Sequence, residues 1–171
     1  MNGVHVLQDL YGRLPELVHG AVSGLEQDQL NDRVDGHSNH IGWLIWHLTR
    51  VEDGHLADVG AGPELWTEGG WSRRFDLPVP EDATGWDADD DEVGAVRIAD
   101  GAVLTGYFDA VQAQAMAYLA GLADADLDRI VDRNWDPPVT LGVRLVSVVD
   151  DCLEHVGQAA YVRGLLDRRS H

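Results

Sequence analysis

The amino-acid sequence predicts an all-α fold, a four-helix bundle with a long crossover between its second and third helices. Three observations carry that expectation. Apolar residues recur at helical spacing over 4–22, 39–59, 89–122 and 141–166. No stretch carries a convincing strand pattern, and no internal repeat is visible. The link over 60–86 has no clear period and is punctuated by Gly60, Gly62, Gly69, Gly70 and Gly85 with Pro63, Pro78 and Pro80. A length of 171 residues suits one domain spanning 1–171, large enough to bury a core.

The first helical pattern uses Leu7, Leu10, Tyr11, Leu14, Leu17, Val18 and Ala21. Pro15 interrupts it, so a kink or a fresh start near Arg13 is expected. Ser23-Gly24 ends it, and a polar link with a short turn around Gln29 follows. The second helix is expected to start at Ser38 or Asn39, both good N-caps. Its core face is Ile41, Leu44, Ile45, Leu48 and Val51. His37 and His40 flank a helix entrance that is expected to be hydrated, and either could approach a metal or substrate.

Links as long as 60–86 inside a compact domain are usually functional or structured. Trp66, Trp71, Phe75 and Trp86 argue for order, because aromatic rings need somewhere to pack. The run Asp87-Ala88-Asp89-Asp90-Asp91-Glu92 fails the calcium-loop pattern, which needs Gly at the sixth position and Glu at the twelfth. It reads instead as a helix start, with Asp89 as N-cap and Glu92 closing a capping box. The third helix then runs to about Leu122 with a bend at Asp100-Gly101. Asp124–Asp128 offers a turn of helix, Trp135-Asp136-Pro137-Pro138 stops regular structure, and Thr140 caps the last helix.

Composition narrows the function. Hydrophobic content is 44% and no apolar run is long enough to span a membrane. The first residues lack the basic and apolar regions of a signal peptide, so a cytoplasmic protein is expected. The single cysteine, Cys152, lies in an apolar stripe and suits a reducing compartment as a packing residue. The formal net charge is -18, and all 12 basic residues are arginine. Such a field repels nucleic acid and anionic lipid, so neither is an expected partner.

The last helix holds the chemistry. Asp151 and His155 are four residues apart, roughly 40° around the axis and one above the other. With Arg144 and Gln158 they form a polar line bordered by Val148 and Val162. A carboxylate and an imidazole so placed can share one metal ion, although the same spacing also makes an ordinary surface pair. His47 sits in the apolar stretch Trp43-Leu44-Ile45-Trp46-His47-Leu48, where a lone histidine is usually a boundary residue. Packed against Asp151 and His155, it would complete a set of two imidazoles and one carboxylate with coordination positions left open. Such ligands suit zinc, nickel or iron.

The stretch Asn39-His40-Ile41-Gly42-Trp43-Leu44-Ile45-Trp46-His47-Leu48-Thr49-Arg50-Val51-Glu52-Asp53 resembles the second helix of the DinB-like superfamily. Val139-Thr140-Leu141-Gly142-Val143-Arg144-Leu145, then Asp151-x-x-x-His155-x-Gly157-Gln158 and Tyr161-Val162-Arg163-Gly164, resembles its last helix. The nearest branch is that of actinobacterial mycothiol-dependent transferases and maleylpyruvate isomerases. The resemblance implies a divalent metal, zinc before nickel or iron, held by His47, Asp151 and His155. Many relatives carry histidine or glutamate at the position of Asp151, and aspartate is shorter than glutamate.

The implied activity is a metal-dependent S-transferase. It would join a low-molecular-weight thiol, mycothiol as co-substrate, to an electrophilic small molecule through a metal-bound thiolate. A homodimer is the implied assembly. Arg144, Arg163 and His40 are the candidate substrate contacts; a salt bridge to another helix is an alternative for each arginine. No general base is evident. The competing reading is a non-catalytic, stress-related metal-binding or scaffold bundle.

Overall fold

The computed structural model describes residues 1–169, and helices dominate them. The expected first helix is two: α1, Gly3–Tyr11, and α2, Leu14–Val22. Gly12 closes α1, and Pro15 falls in the first turn of α2, where its missing N–H costs nothing. Leu7, Tyr11, Leu14 and Val18 stay buried across the break. The Tyr11 hydroxyl donates to the Leu145 carbonyl at 3.1 Å and ties this arm to the last helix. The turn near Gln29 is α3, Gln27–Leu30.

The second long helix, α4, spans Ile41–Asp58. Its N-cap is His40, not Ser38 or Asn39 as propensity suggested. The His40 ring is buried rather than hydrated: Nδ1 accepts from the Trp43 N–H at 3.0 Å, and Nε2 lies 3.3 Å from the Val93 carbonyl. Burial holds this imidazole below its ordinary pKa, which keeps Nδ1 free to accept.

The crossover carries two short helices, α5 at Leu65–Glu68 and α6 at Trp71–Phe75. It is stitched to one side of α4 at three points. Asp53 accepts from the Leu65 and Trp66 N–H groups at 2.9 and 2.7 Å and from the Tyr107 hydroxyl at 2.7 Å. Arg50 donates to the Ala83 carbonyl at 3.1 Å and to Glu64 at 2.7 Å. His47 meets the Thr84 carbonyl at 2.6 Å. Trp66, Phe75 and Tyr107 form a ring cluster with centroids 5.2–5.8 Å apart. Trp86 does not join it and is 83% exposed.

The expected third helix is broken rather than bent. After α7, Asp90–Ala95, the chain runs irregularly to α8, Gly101–Ala120. The Asp89–Glu92 capping box is present, and Asp100 caps α8. The break has a physical cause. The Asn31 side chain donates to the Ile98 carbonyl and accepts from its N–H, both at 2.8 Å, replacing the bonds a continuous helix would supply. After a 3-10 turn at Asp124–Asp128 comes a small antiparallel pair that the sequence did not lead us to expect, β1 at Ile130–Asp132 and β2 at Val139–Thr140. Strands this short carry no readable period.

The last helix, α9, spans Leu141–Arg169. Its stripe of Leu145, Val148, Val149, Cys152, Val156 and Ala159 is buried as expected. The helix α9 packs on α4 and α2, and α8 packs on α4 and α1, so the core lies between these rods. No helix among the described residues is long and apolar enough to cross a membrane.

One core residue is out of character. Glu52 is 0% exposed, and neither carboxylate oxygen has a hydrogen-bond partner. Val51, expected in the core, is only half-buried. Burial first, and the neighbouring Asp53 charge second, push the Glu52 carboxyl up from 4.5 to about 8. The folded protein therefore keeps a proton that the unfolded chain releases. The stability that this proton contributes is full below pH 4.5 and is lost as pH rises toward about 8. Each tenfold difference in proton affinity between the folded and unfolded chain is worth about 1.4 kcal/mol. Glu52→Gln should match the parent near pH 4.5 and exceed it by several kcal/mol above about 8, as read by urea unfolding across that range. Parallel stability profiles for the two proteins would show that Glu52 stays ionised.

Candidate metal centre

His47 comes from the middle of α4, and Asp151 and His155 come from successive turns of α9. The packing of α4 on α9 brings them together: one ligand-type atom from each lies within 4.8 Å of the other two. His155 Nε2 is 3.6 Å from Asp151 Oδ1. The two imidazole centroids are 4.7 Å apart and their planes nearly perpendicular, at 79°. Two ligands about 2.1 Å from one tetrahedral ion stand about 3.4 Å apart, so a small inward movement would close the set.

The tautomers fit the same purpose. His47 Nδ1–H donates to the Thr84 carbonyl, and His155 Nδ1–H donates to Gln158 Oε1 at 3.2 Å. Each ring is left with an Nε2 lone pair, the usual outer-shell arrangement around a ligating histidine. Asp151 Oδ2 is buried and has no partner. A buried carboxylate oxygen without a donor is costly, and a cation is what would satisfy it. These residues fit a divalent metal.

Electrostatics separate the two imidazoles. Burial holds His47 below its ordinary pKa, opposed by its bond to Thr84. The Asp151 carboxylate raises His155, against a smaller effect of burial. Trp43 stacks on His47 at 4.6 Å and 10° and lies perpendicular to His155 at 6.3 Å, which walls the centre on one side.

The other candidates lie elsewhere. Arg144 donates to His55 at 2.9 Å and to Asp132 at 3.1 Å, bracing α9 against α4 and the hairpin. Arg163 bonds Asp167 and the Ser23 carbonyl at 3.0 and 2.8 Å. His40 spends its nitrogens on the backbone as the cap of α4. Cys152 is fully buried, its thiol pushed well up by burial. Thr84 and Gly85 were not anticipated, because a main-chain oxygen leaves no mark in sequence. Gln158 stood on the polar line and proves to be the partner of His155.

A family described as Mycothiol-S-transferase has a model that matches residues 7–168. Among solved structures, a conserved protein of a locus from Enterococcus faecalis superposes with a TM-score of 0.87 at 29% sequence identity, covering 95% of this chain and 96% of that one. Among curated proteins, none matches.

The Thr84 carbonyl is delivered by a tight turn. Gly85 has φ +86°, and a Cβ there would lie 2.8 Å from His47 Nδ1 and 3.0 Å from the Trp43 ring. Gly85→Ala should therefore push the turn off His47 and weaken divalent-metal binding by about 10- to 100-fold. His155→Ala should abolish stoichiometric binding, and Cys152→Ser should leave it unchanged. Elemental analysis and competition with a chromophoric chelator measure all three. Equal losses in His155→Ala and Cys152→Ser would place the metal on another face of α9.

Proposed function

This chain belongs to the mycothiol-S-transferase family, and we propose on that premise that it transfers a low-molecular-weight thiol, mycothiol foremost, to an electrophilic small molecule. The observation that carries the reading is the convergence of His47, Asp151 and His155, with Nδ1 of each imidazole held by another residue and Asp151 Oδ2 unpartnered. A divalent cation held there, zinc before nickel or iron, would supply the positive charge that lowers the pKa of a thiol bound beside it.

The chain's own residues do the rest. Thr84 and Gln158 fix the imidazole tautomers, and Trp43 with the crossover keeps water from that side. The protein offers no nucleophile of its own here, since the Cys152 thiol is buried and raised in pKa. The sulfur must therefore come from outside. The thiol gives its proton to solvent, and its sulfur forms the new bond to the electrophilic carbon. The leaving group departs with its bonding pair, and no oxidant is required. In this reading α2, α4, α8 and α9 form the four-helix bundle of the family, acting in the cytosol as a homodimer.

Purified zinc-loaded protein incubated with mycothiol and a panel of alkyl and aryl electrophiles should yield the thioether conjugate by mass spectrometry. Chelation should stop the reaction, zinc should restore it, and His47→Ala should lack it. Stoichiometric metal binding with no conjugate from mycothiol, bacillithiol, glutathione or cysteine would favour the non-catalytic metal-binding or scaffold bundle.

A further inference from the structure

A cavity of about 660 Å³ opens beside the triad, between α4, α9 and the end of the crossover, and Arg50, Glu64, Thr84 and Asp151 stand in its wall. Arg50 is the unusual member. It is 1% exposed, and a guanidinium is kept that deep only by committed partners. Nε donates to the Ala83 carbonyl at 3.1 Å and Nη1 to Glu64 at 2.7 Å, while Cζ lies 4.9 Å from the Trp66 ring centroid. Glu64 is the N-cap of α5, where the crossover leaves, and Ala83 lies where it returns to α4. One side chain therefore clasps both ends of the loop. Trp66 also spans it, donating Nε1–H to the Glu81 carbonyl at 2.9 Å, but both of those residues belong to the crossover. Arg50 ties the returning limb to α4 itself, the helix that carries His47.

His47 and Arg50 are one turn of α4 apart, and they take the consecutive carbonyls of Thr84 and Ala83. Among the described residues, these two hydrogen bonds are what joins α4 to the limb over 78–86. Without the Arg50 bond, only that of His47 is left. The proton on His47 also has a second claimant. An Asp151 oxygen lies within 4.8 Å of one ring nitrogen of His47, and the Asp151 charge draws protons toward this imidazole. The Thr84 carbonyl, which can only accept, keeps the proton on Nδ1 and leaves Nε2 with its lone pair. A ring that turned its proton to Asp151 would present a donor where a metal needs a lone pair.

We propose that Arg50 is a positioning residue: by clasping the crossover to α4 it holds the Thr84 carbonyl on His47 and so fixes the tautomer that can bind a metal. The assignment rests on the metal-centre part of the proposed function, while the tautomer itself is measured without metal, thiol or electrophile.

Charge and geometry predict opposite signs. A guanidinium beside the triad repels a divalent cation, so its removal, taken alone, would strengthen binding. Loss of position weakens it. Arg50→Met removes charge and clasp together. Arg50→Lys keeps the charge, but an ammonium is a point donor and cannot reproduce the fork. Competition between the full chain and a chromophoric chelator for Zn²⁺ should show binding weakened by about tenfold in Arg50→Lys and by about 10- to 100-fold in Arg50→Met. Long-range ¹H–¹⁵N correlation of the full chain after chelation reads the tautomer at neutral pH, where burial keeps the His47 ring uncharged. The proton should sit on Nδ1 in the parent and move wholly or partly to Nε2 in each variant, with far-UV circular dichroism unchanged. Arg50→Lys, whose ammonium can still meet Glu64, carries the test alone if Arg50→Met does not fold.

Affinity unchanged or raised, or a proton that stays on Nδ1, overturns the assignment even if the melting temperature falls, because a merely structural clasp lowers stability alone. A tautomer that moves in a chain whose parent binds no Zn²⁺ keeps the assignment and sinks the metal centre. Both expected shifts in a chain whose parent conjugates no thiol keep the assignment and sink the transferase reading.

Discussion

The buried carboxylate of Asp53 is the fastening on which the side of the molecule that carries the candidate metal centre depends. It receives the first two amides of α5 and the Tyr107 hydroxyl, and so joins α4, the crossover and α8 at one point. Burial alone would push this carboxyl up, and its three donors offset part of that penalty. An apolar residue there would leave the donors without an acceptor, at about 1–3 kcal/mol each. From that point the crossover is led back along α4 past Arg50 to His47, and the Thr84 carbonyl arrives at the imidazole as a result.

The same helix therefore serves two layers. One side of α4 supplies apolar residues such as Leu44, Ile45, Leu48 and Leu56 to the core, and another supplies the polar stitching. Glu52 lies among the buried residues, and its carboxyl keeps its proton well into the neutral range. The structure gives it no hydrogen-bond partner. The contrast with Asp53, one residue on, is instructive: two adjacent acids are buried, and only the one with donors can hold a charge cheaply.

Much of this was legible in the sequence, for identifiable reasons. Helices announce themselves through repeated apolar side chains, and α9 was readable along almost its whole length because Leu145 to Leu166 keep one period. Asp151 and His155 were readable as a pair because helical spacing puts them on one face; His47, on another helix, was joined to them by the family resemblance, and the structure brings the three side chains together. What escaped were the elements made by non-local bonds. The break before α8 depends on Asn31, 67 positions away from Ile98. The cap of α4 fell to His40 over better formers because its ring is pinned against the Val93 carbonyl. The cavity beside the triad needs both α4 and the crossover in place, and neither pattern alone implies it.

The crossover reaches His47 and Arg50 through main-chain oxygens, those of Thr84 and Ala83. Any residue could provide them, because every amino acid carries the same carbonyl. The side chains from Pro78 to Trp86 are thus not conscripted by the triad, and a lineage could exchange them singly without an ancestor that had lost its ligand geometry. Gly85 is the exception, since its conformation and the closeness of His47 leave no room for a side chain. A fold wired in this way separates inheritance of the triad's geometry from drift in the side chains of the neighbouring wall. Descendants would keep the one while diverging freely in the other.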